Sequence, residues 1–546
     1  MDWTLLPLDP LETIFSQLEF KDHIACSLVC RRWNEAIFTC PTLARSIVFS
    51  IGPTCTSELR SVVRASNRNY RQITIVLNRS SNAKLFELIE EIAVRWNVKV
   101  VSLVGDPPTV LNCIRSNADL FNSITELNLE FTMDYAWPVI PNQEIHFRNL
   151  KKMNYLQVYI GTSNIEMLFR LVVPNLEEVT IALDSLANEE AMYWADPLIE
   201  LLGCDNLKSL EVDLNCTMWE NFFAIERPTL ERLVIRRASD EFQERDWNLL
   251  FRNMPNLRHV EFVFSTDIML TSLTRNCKKV DRLILNGFCL HDGSFANNMS
   301  QLSLKQVHMD GWLNGALFSY NSPLDLIHLQ TLTWKYVELA PVQGSFTLVT
   351  PELRRLTLRG CDYKRLFLDV GNCLEFIDMD YYEEQVLTPN FFVSLENLQH
   401  LILHINSSSS KLVRNMCHLP NLKQLELVCS TERHGYDCNA LFSSVCAHCP
   451  ELEELCIRNE HENYLSIGYR YFVQILKLFK LRILTLQYVT LYNVLGEIPM
   501  EHLVRLNVWG CIVIADSPIK KFPIGTHDSS VQAADCSFTW QDKGKW

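Results

Sequence analysis

No stretch of about 18 apolar residues occurs in this 546-residue chain, so the sequence predicts no membrane-spanning helix. The opening residues, Met1-Asp2-Trp3-Thr4-Leu5-Leu6-Pro7-Leu8-Asp9-Pro10, lack the basic start and apolar run of a secretory signal, and the chain is expected in the cytoplasm, the nucleus or both. There is no glycine-rich phosphate loop, no nucleophile elbow and no HExxH helix, so the chain is expected to be non-catalytic. Basic residues are outnumbered, 50 Lys and Arg against 64 Asp and Glu. The resulting net charge of −14, with a pI near 5.5, argues against a general nucleic-acid binder. What is present is apolar material: 48% of residues are hydrophobic, enough for a large core. The 19 cysteines are odd in number and scattered through apolar contexts, as expected of reduced thiols in a reducing compartment.

One pattern recurs: apolar, two free positions, apolar, one free, apolar. Clear copies begin at Leu176, Leu230, Leu353 and Leu422. Placing the first apolar position of each copy gives Ala44, Tyr70, Val98, Ile124, Leu150 and so on to Leu481 and Leu503, about 19 copies at a mean step of about 25.5 residues. The alternating end of the motif predicts a short strand, and the rest of each step is long enough for a helix returning on the outer side. Pro174, Pro228, Pro255, Pro351, Pro420 and Pro450 stand just before strands, where proline stops a helix. One unit cannot bury its apolar face alone, so stacked units are expected to share a continuous core and curve into a solenoid. The step falls in the range of leucine-rich repeats. Copies running on to Leu358-Arg359-Gly360-Cys361 and Val508-Trp509-Gly510-Cys511 resemble the cysteine-containing subclass of that family. Three steps are long, from Leu176, Leu422 and Leu452, and predict protruding loops or longer helices.

Residues 6–38 read differently. Asp9 is placed as an N-cap, Pro10 as the first helical residue and Glu12 as the closing member of a capping box. Leu11, Ile14, Phe15 and Leu18 form a helical stripe. Asp22 is placed as the cap of a second helix carrying Ile24, Leu28 and Val29, with Trp33 and Ile37 beyond. So short a module makes a marginal core. Its apolar surplus is either covered by a partner or packed on the first repeat.

The order Leu6-Pro7, Ile14-Phe15, Leu18, Asp22 and Val29-Cys30-Arg31-Arg32-Trp33 closely resembles an F-box. The Glu-Leu usual after the opening Leu-Pro-x is Asp9-Pro10 here, which keeps charge and helix start. The resemblance implies binding to a Skp-type adaptor, and through it a cullin–RING ligase. Leu6, Pro7, Leu11, Ile14, Phe15, Leu18, Val29, Cys30 and Trp33 would form the adaptor face or the core behind it. The expected architecture is therefore α/β: a three-helix F-box over 1–43, then a curved leucine-rich-repeat solenoid over 44–525 with parallel strands inside and helices outside. A C-terminal tail over 526–546 leaves the repeat. The implied function is substrate recognition for a Skp–cullin–F-box ubiquitin ligase. The other reading is a non-ligase F-box/repeat scaffold, with a small anionic ligand as an overlay on either.

The third, fifth and seventh positions of each motif are expected on the concave surface, where a protein substrate would sit. Early repeats give an acidic stretch, Glu126, Glu130, Glu178, Glu211 and Asp213. Later ones supply Arg232, Arg236, Arg282, His308, Lys335, Arg355 and Arg359, which could converge on a phosphate or an acidic peptide, or be scattered charges on a solvated face. Asp310, Asp378 and Asp380 interrupt them. His400 and His404 fall at concave positions of one strand and read as surface residues. Cys446-Ala447-His448-Cys449, near His434 and Cys438, reads as core cysteines and not half of a zinc site, so no metal and no cofactor is expected.

Overall fold

The computed structural model describes residues 8–18, 20–40, 43, 47–53, 57–66, 70–78, 81, 83–131, 144–157, 170–183, 204–214, 220–238, 242–289, 299–311, 316–318, 323–339, 346–363, 365–381, 386–387, 395–405, 419–429, 439–459, 465–494, 503–509, 511–515, 531–534 and 537–540. They divide into two compact units, Met1–Glu261 and Phe262–Trp546.

The first unit opens with three helices, α1 (Leu8–Phe15), α2 (Phe20–Ser27) and α3 (Arg31–Thr39). Strands follow in chain order, from Val48–Ile51 to Arg232–Ala238, each pairing in parallel with the one before. The register joins Gln72, Val100, Glu126, Lys152, Glu178, Ser209 and Arg232, which are third positions of successive motifs. Arg258 and His259 continue it by donating to the Glu231 carbonyl. The second unit repeats the scheme from Arg282–Asn286 to Val531–Ala534. This register is a leucine-rich-repeat ladder.

Two placements shift. Val48 pairs with Gln72, so the first motif begins at residue 46 and not at Ala44. A two-residue slip keeps every side chain on its own face, which is why the apolar pattern also fits the earlier start. At the other end, Val531–Ala534 pairs with the strand of Leu506 and Ser537–Trp540 with that of Ile512, so the ladder runs on past 525 into the expected tail.

The first, fourth and sixth motif positions point inward. Leu353, Leu356 and Leu358 are buried, as are Leu422, Leu425 and Leu427. Just before the first position of six motifs an asparagine ties neighbours together. Asn175 donates to the Arg148 carbonyl at 2.7 Å, and Asn149, Asn206, Asn256, Asn397 and Asn421 each make the same bond to the preceding repeat. These bonds satisfy turn carbonyls that the strands leave unpaired.

The outer side is not uniformly helical. Helices return in the first unit at Ser57–Ala65, Ala83–Arg95, Pro107–Ser116 and Glu244–Arg252. Asp106 caps the third of these by accepting from the Thr109 N–H at 3.0 Å, with Pro107 in its first turn. In the second unit helices stand at Asp267–Asn276, Asn439–His448 and Tyr469–Leu476, the last two within long steps. Between them the return is made by short parallel strands, Leu324–Asp325, Phe346–Thr350, Arg365–Val370 and Val386–Leu387. Leu366, Leu368 and Val370 are buried alternately, a period of two that a helix cannot use. Expected helices are replaced there because the segments are short and rich in Thr, Val and Phe. The extra residues of the long step after Leu176, and the cluster partners His434 and Cys438, lie outside the described residues.

Candidate functional site

The N-terminal helices enclose a small core of Leu11, Phe15, Ala36, Ile37, Phe38, Cys40, Leu43 and Ile47. Phe15 meets Trp33 edge-on at 5.2 Å. His23 Nε2 lies 2.7 Å from the Phe15 carbonyl, partnering an acceptor at the end of α1. The Cys30 thiol accepts from the Trp33 N–H at 3.4 Å and caps α3. Phe38 meets Tyr70 at 5.1 Å, and Tyr70 meets Trp96 at 4.8 Å, so one side of the module is fixed to the first repeats.

Among the described residues, three apolar side chains of the module remain uncovered. Ile14 is 40% exposed, Val29 59% and Leu28 72%. Two helix boundaries differ from expectation here. α1 begins at Leu8, so Asp9 lies inside its first turn and not at the cap, while Pro10 still sits where a missing N–H does no harm. α2 begins at Phe20, placing Asp22 in its first turn, and ends at Ser27. Leu28 and Val29 therefore stand on the following turn, their N–H groups bonded to Ala25 and Cys26, and point into solvent instead of lining a helix stripe.

On the open face of each strand ladder, the basic residues are engaged by their neighbours. In the first unit, Arg236 Nε donates to Glu211 Oε1 at 2.6 Å, and Arg232 reaches the Ser209 hydroxyl at 3.2 Å. Lys152 lies between Glu126 and Glu178, at 3.7 and 4.0 Å. Asp213, expected in the acidic surface stretch, is buried. In the second unit, Arg359 pairs with Asp378 and with Asp380, both at 3.3 Å, and touches His404. His404, expected on the surface, is 3% exposed, because this ionic cluster folds over it. Burial raises the Asp380 carboxyl pKa, opposed by the Gly360 N–H and the Arg359 guanidinium. Arg355 stacks over the Phe376 ring at 4.4 Å. Arg282 is exposed, and Lys335 stands between its register partners Asp310 and Arg359. Lys335, Arg359, Asp310, Asp378 and Tyr336 line a groove of about 640 Å³ in which both signs of charge are present. The six basic candidates thus fall two in the first unit and four in the second, and most face an opposite charge or a ring.

Cys449 is buried and Cys446 half-buried, and burial pushes their thiols up to about 12 and about 11. No group of metal-binding side chains occurs among the described residues.

Residues 3–44 match the F-box domain family. This chain carries an F-box. It stands at the head of a leucine-rich-repeat ladder, whose assignment rests on the strand register above. No curated protein matches the chain. Among solved structures, a TLR13–ssRNA13 complex is similar at 13% identity and a TM-score of 0.37, over 89% of this chain and 83% of that one. The APL1 leucine-rich repeat domain is similar at 11% identity and a TM-score of 0.34, over 66% and 97%. The Toll–Spätzle complex of Drosophila is similar at 13% and 0.36, over 86% and 64%.

Within the F-box, the residues taken from the resemblance separate into two sets. Leu11 and Phe15 are core, Leu18 and Trp33 are partly buried against it, and Cys30 is a half-buried helix cap. Ile14 and Val29 are free to meet a partner. Leu6 and Pro7 lie outside the described residues. Leu28, the most exposed of the three apolar side chains, was legible only as part of a stripe, because nothing in the spacing says that α2 ends one residue before it.

Proposed function

We propose that this chain is the substrate-recognition subunit of a Skp–cullin–F-box ubiquitin ligase, working in the cytoplasm, the nucleus or both. F-box domains generally bind Skp-type adaptors, and this F-box leaves Ile14, Leu28 and Val29 in solvent while Phe38 packs it on Tyr70 of the repeats. That pairing of domain and unspent apolar surface carries the reading. An adaptor interface of about 2,000 Å² would be ordinary for such a contact. The repeats would hold a protein substrate, and the chain would contribute proximity and orientation while its ligase partners supply the transfer chemistry. The small-anion reading draws less support, since Arg236 and Arg359 already face carboxylates.

The test is co-purification from a reducing lysate with the wild-type chain and an Ile14→Asp, Val29→Asp double variant. Both positions are exposed, so the variant is expected to melt like wild type. Capture of adaptor and cullin by wild type, and loss of both by the variant, is the expected result. Adaptor without cullin would indicate a non-ligase scaffold. Capture of neither would reduce the helices to a cap on the ladder.

A further inference from the structure

The open face of a leucine-rich ladder is ordinarily polar, yet one stretch of the second unit sets apolar side chains among its polar ones. Phe376, Ile402, Cys456 and Ile483 occupy third or fifth positions on four strands of a consecutive five, all half-buried. They line a shallow trough of about 130 Å³ together with His400 and Glu454. From Phe376 to Ile483 the register crosses four inter-strand spacings, about 19 Å, the reach of about six extended residues.

The polar groups within it are unequal. Glu426 is held by Arg458 Nε at 2.8 Å. Glu454, by contrast, has no ion pair or hydrogen bond through its carboxylate among the described residues. His400 is kept toward its neutral form, chiefly by burial and then by Arg355, so it offers a cation no repulsion. Burial pushes the Cys456 thiol up to about 11, leaving it an uncharged part of the floor. Of the two carboxylates in the lining, the one without an ion pair stands between Ile402, two strands away, and Ile483 on the next strand, which complements a cation between two apolar side chains.

We infer that this trough, Phe376 to Ile483 with Glu454 on the strand next to Ile483, docks an extended substrate segment bearing a Lys or Arg between two apolar side chains. The inference rests on the substrate-receptor reading and assigns the receptor's substrate class. It selects the charge opposite to the acidic peptide that the arginine-bearing strands suggest from sequence.

The test pans the immobilised full-length chain with a phage-displayed library of random short peptides. Expected are selected sequences sharing a basic residue between aliphatic or aromatic ones. Glu454→Lys is expected to weaken a selected peptide about tenfold, while Arg115→Glu, exposed on an outer helix, changes it by less than about twofold. Ile483→Ser, which alters no charge, is a second variant, and unchanged melting of each certifies its fold. Selection of acidic peptides, selection of none, or indifference to both trough variants would overturn the inference. Adaptor capture by the same preparation is scored separately: its loss alone sinks the receptor reading, and peptide failure with adaptor retained sinks only the trough.

Discussion

Ser102, Asn128 and Asn154 stand at the fifth positions of three successive repeats in the first unit, and Ile402, Glu426 and Cys456 at those of three in the second. In the first set each amide is consumed by its neighbour: Asn154 donates to Asn128 at 2.6 Å and Asn128 to Ser102 at 2.9 Å. In the second set apolar groups flank a single paired carboxylate, and the Glu454 carboxylate on the next row has no ion pair or hydrogen bond among the described residues. Both sets ride on the same inner rows of buried leucines. The outward positions of a repeat are thus free of the fold, and function is best sought where they are neither satisfied internally nor fully solvated.

The largest expected effect asks whether the inner rows are in fact equivalent. Leu129→Ala in the first unit and Leu425→Ala beneath the trough each remove a side chain 1% exposed. Each is expected to cost about 2–5 kcal/mol, read from urea unfolding of the unit that contains it. A cost below about 1 kcal/mol for Leu425 alone would mean that the trough has no packed floor, and the contrast between the two faces would then be one of packing and not of surface chemistry.

A smaller effect separates two glycines near strand ends, one in each unit. The eighth motif position is left-handed at Gly287, Tyr336, Gly360 and Tyr488. At Gly360, φ is +62° and an added Cβ would lie 2.4 Å from the Tyr336 ring. Gly360→Ala should therefore destabilise by about 1–2 kcal/mol. Gly52→Ala in the first unit meets nothing within 4 Å and should fall within about 0.5 kcal/mol of wild type. Equal shifts in the melting temperatures of the two variants would show that Tyr336 swings away freely and that the strand ends of the second unit are not tightly set.

The ladder was legible in the sequence because inward leucines obey two fixed periods, and the register from Gln72 onward falls where the motif puts it. The asparagine bonds from Asn149 to Asn421 were not read, since a side-chain amide bonding two turns apart leaves no hydrophobic period. The basic residues of the open face were legible one by one. What each one meets was not: Arg359 finds Asp378 and Asp380 only because two strands far apart in sequence align, and the motif spacing says nothing about net charge along a row. His404 shows the same limit, its burial set by the ions above it. The trough escaped attention because Phe376, Ile402, Cys456 and Ile483 are far apart in sequence and become neighbours only across the strands.

The smallest effect is a difference in sign with pH. Glu177, in the first unit, is hydrogen-bonded by Lys208 and Lys151, both at 2.9 Å, which hold its carboxyl down at about 2 against an ordinary 4.5. A depressed carboxyl favours the folded state above its unfolded value, and that contribution is lost as pH falls from about 4.5 through about 2. Asp380, in the second unit, has the opposite tendency, because burial outweighs Arg359 and the Gly360 N–H and raises its pKa. A raised carboxyl favours folding below its unfolded value, near 3.8, and the contribution is lost as pH rises through the folded value. Unfolding midpoints of Glu177→Gln and Asp380→Asn, each measured against wild type from pH 2 to 6, should therefore drift in opposite directions. Glu177→Gln loses its deficit as the solution is acidified, whereas Asp380→Asn gains on wild type as the pH is raised. Parallel drifts would mean that the Arg359 cluster stabilises the Asp380 carboxylate more than burial penalises it, and the second unit would then use its buried charge as the first uses its exposed pairs.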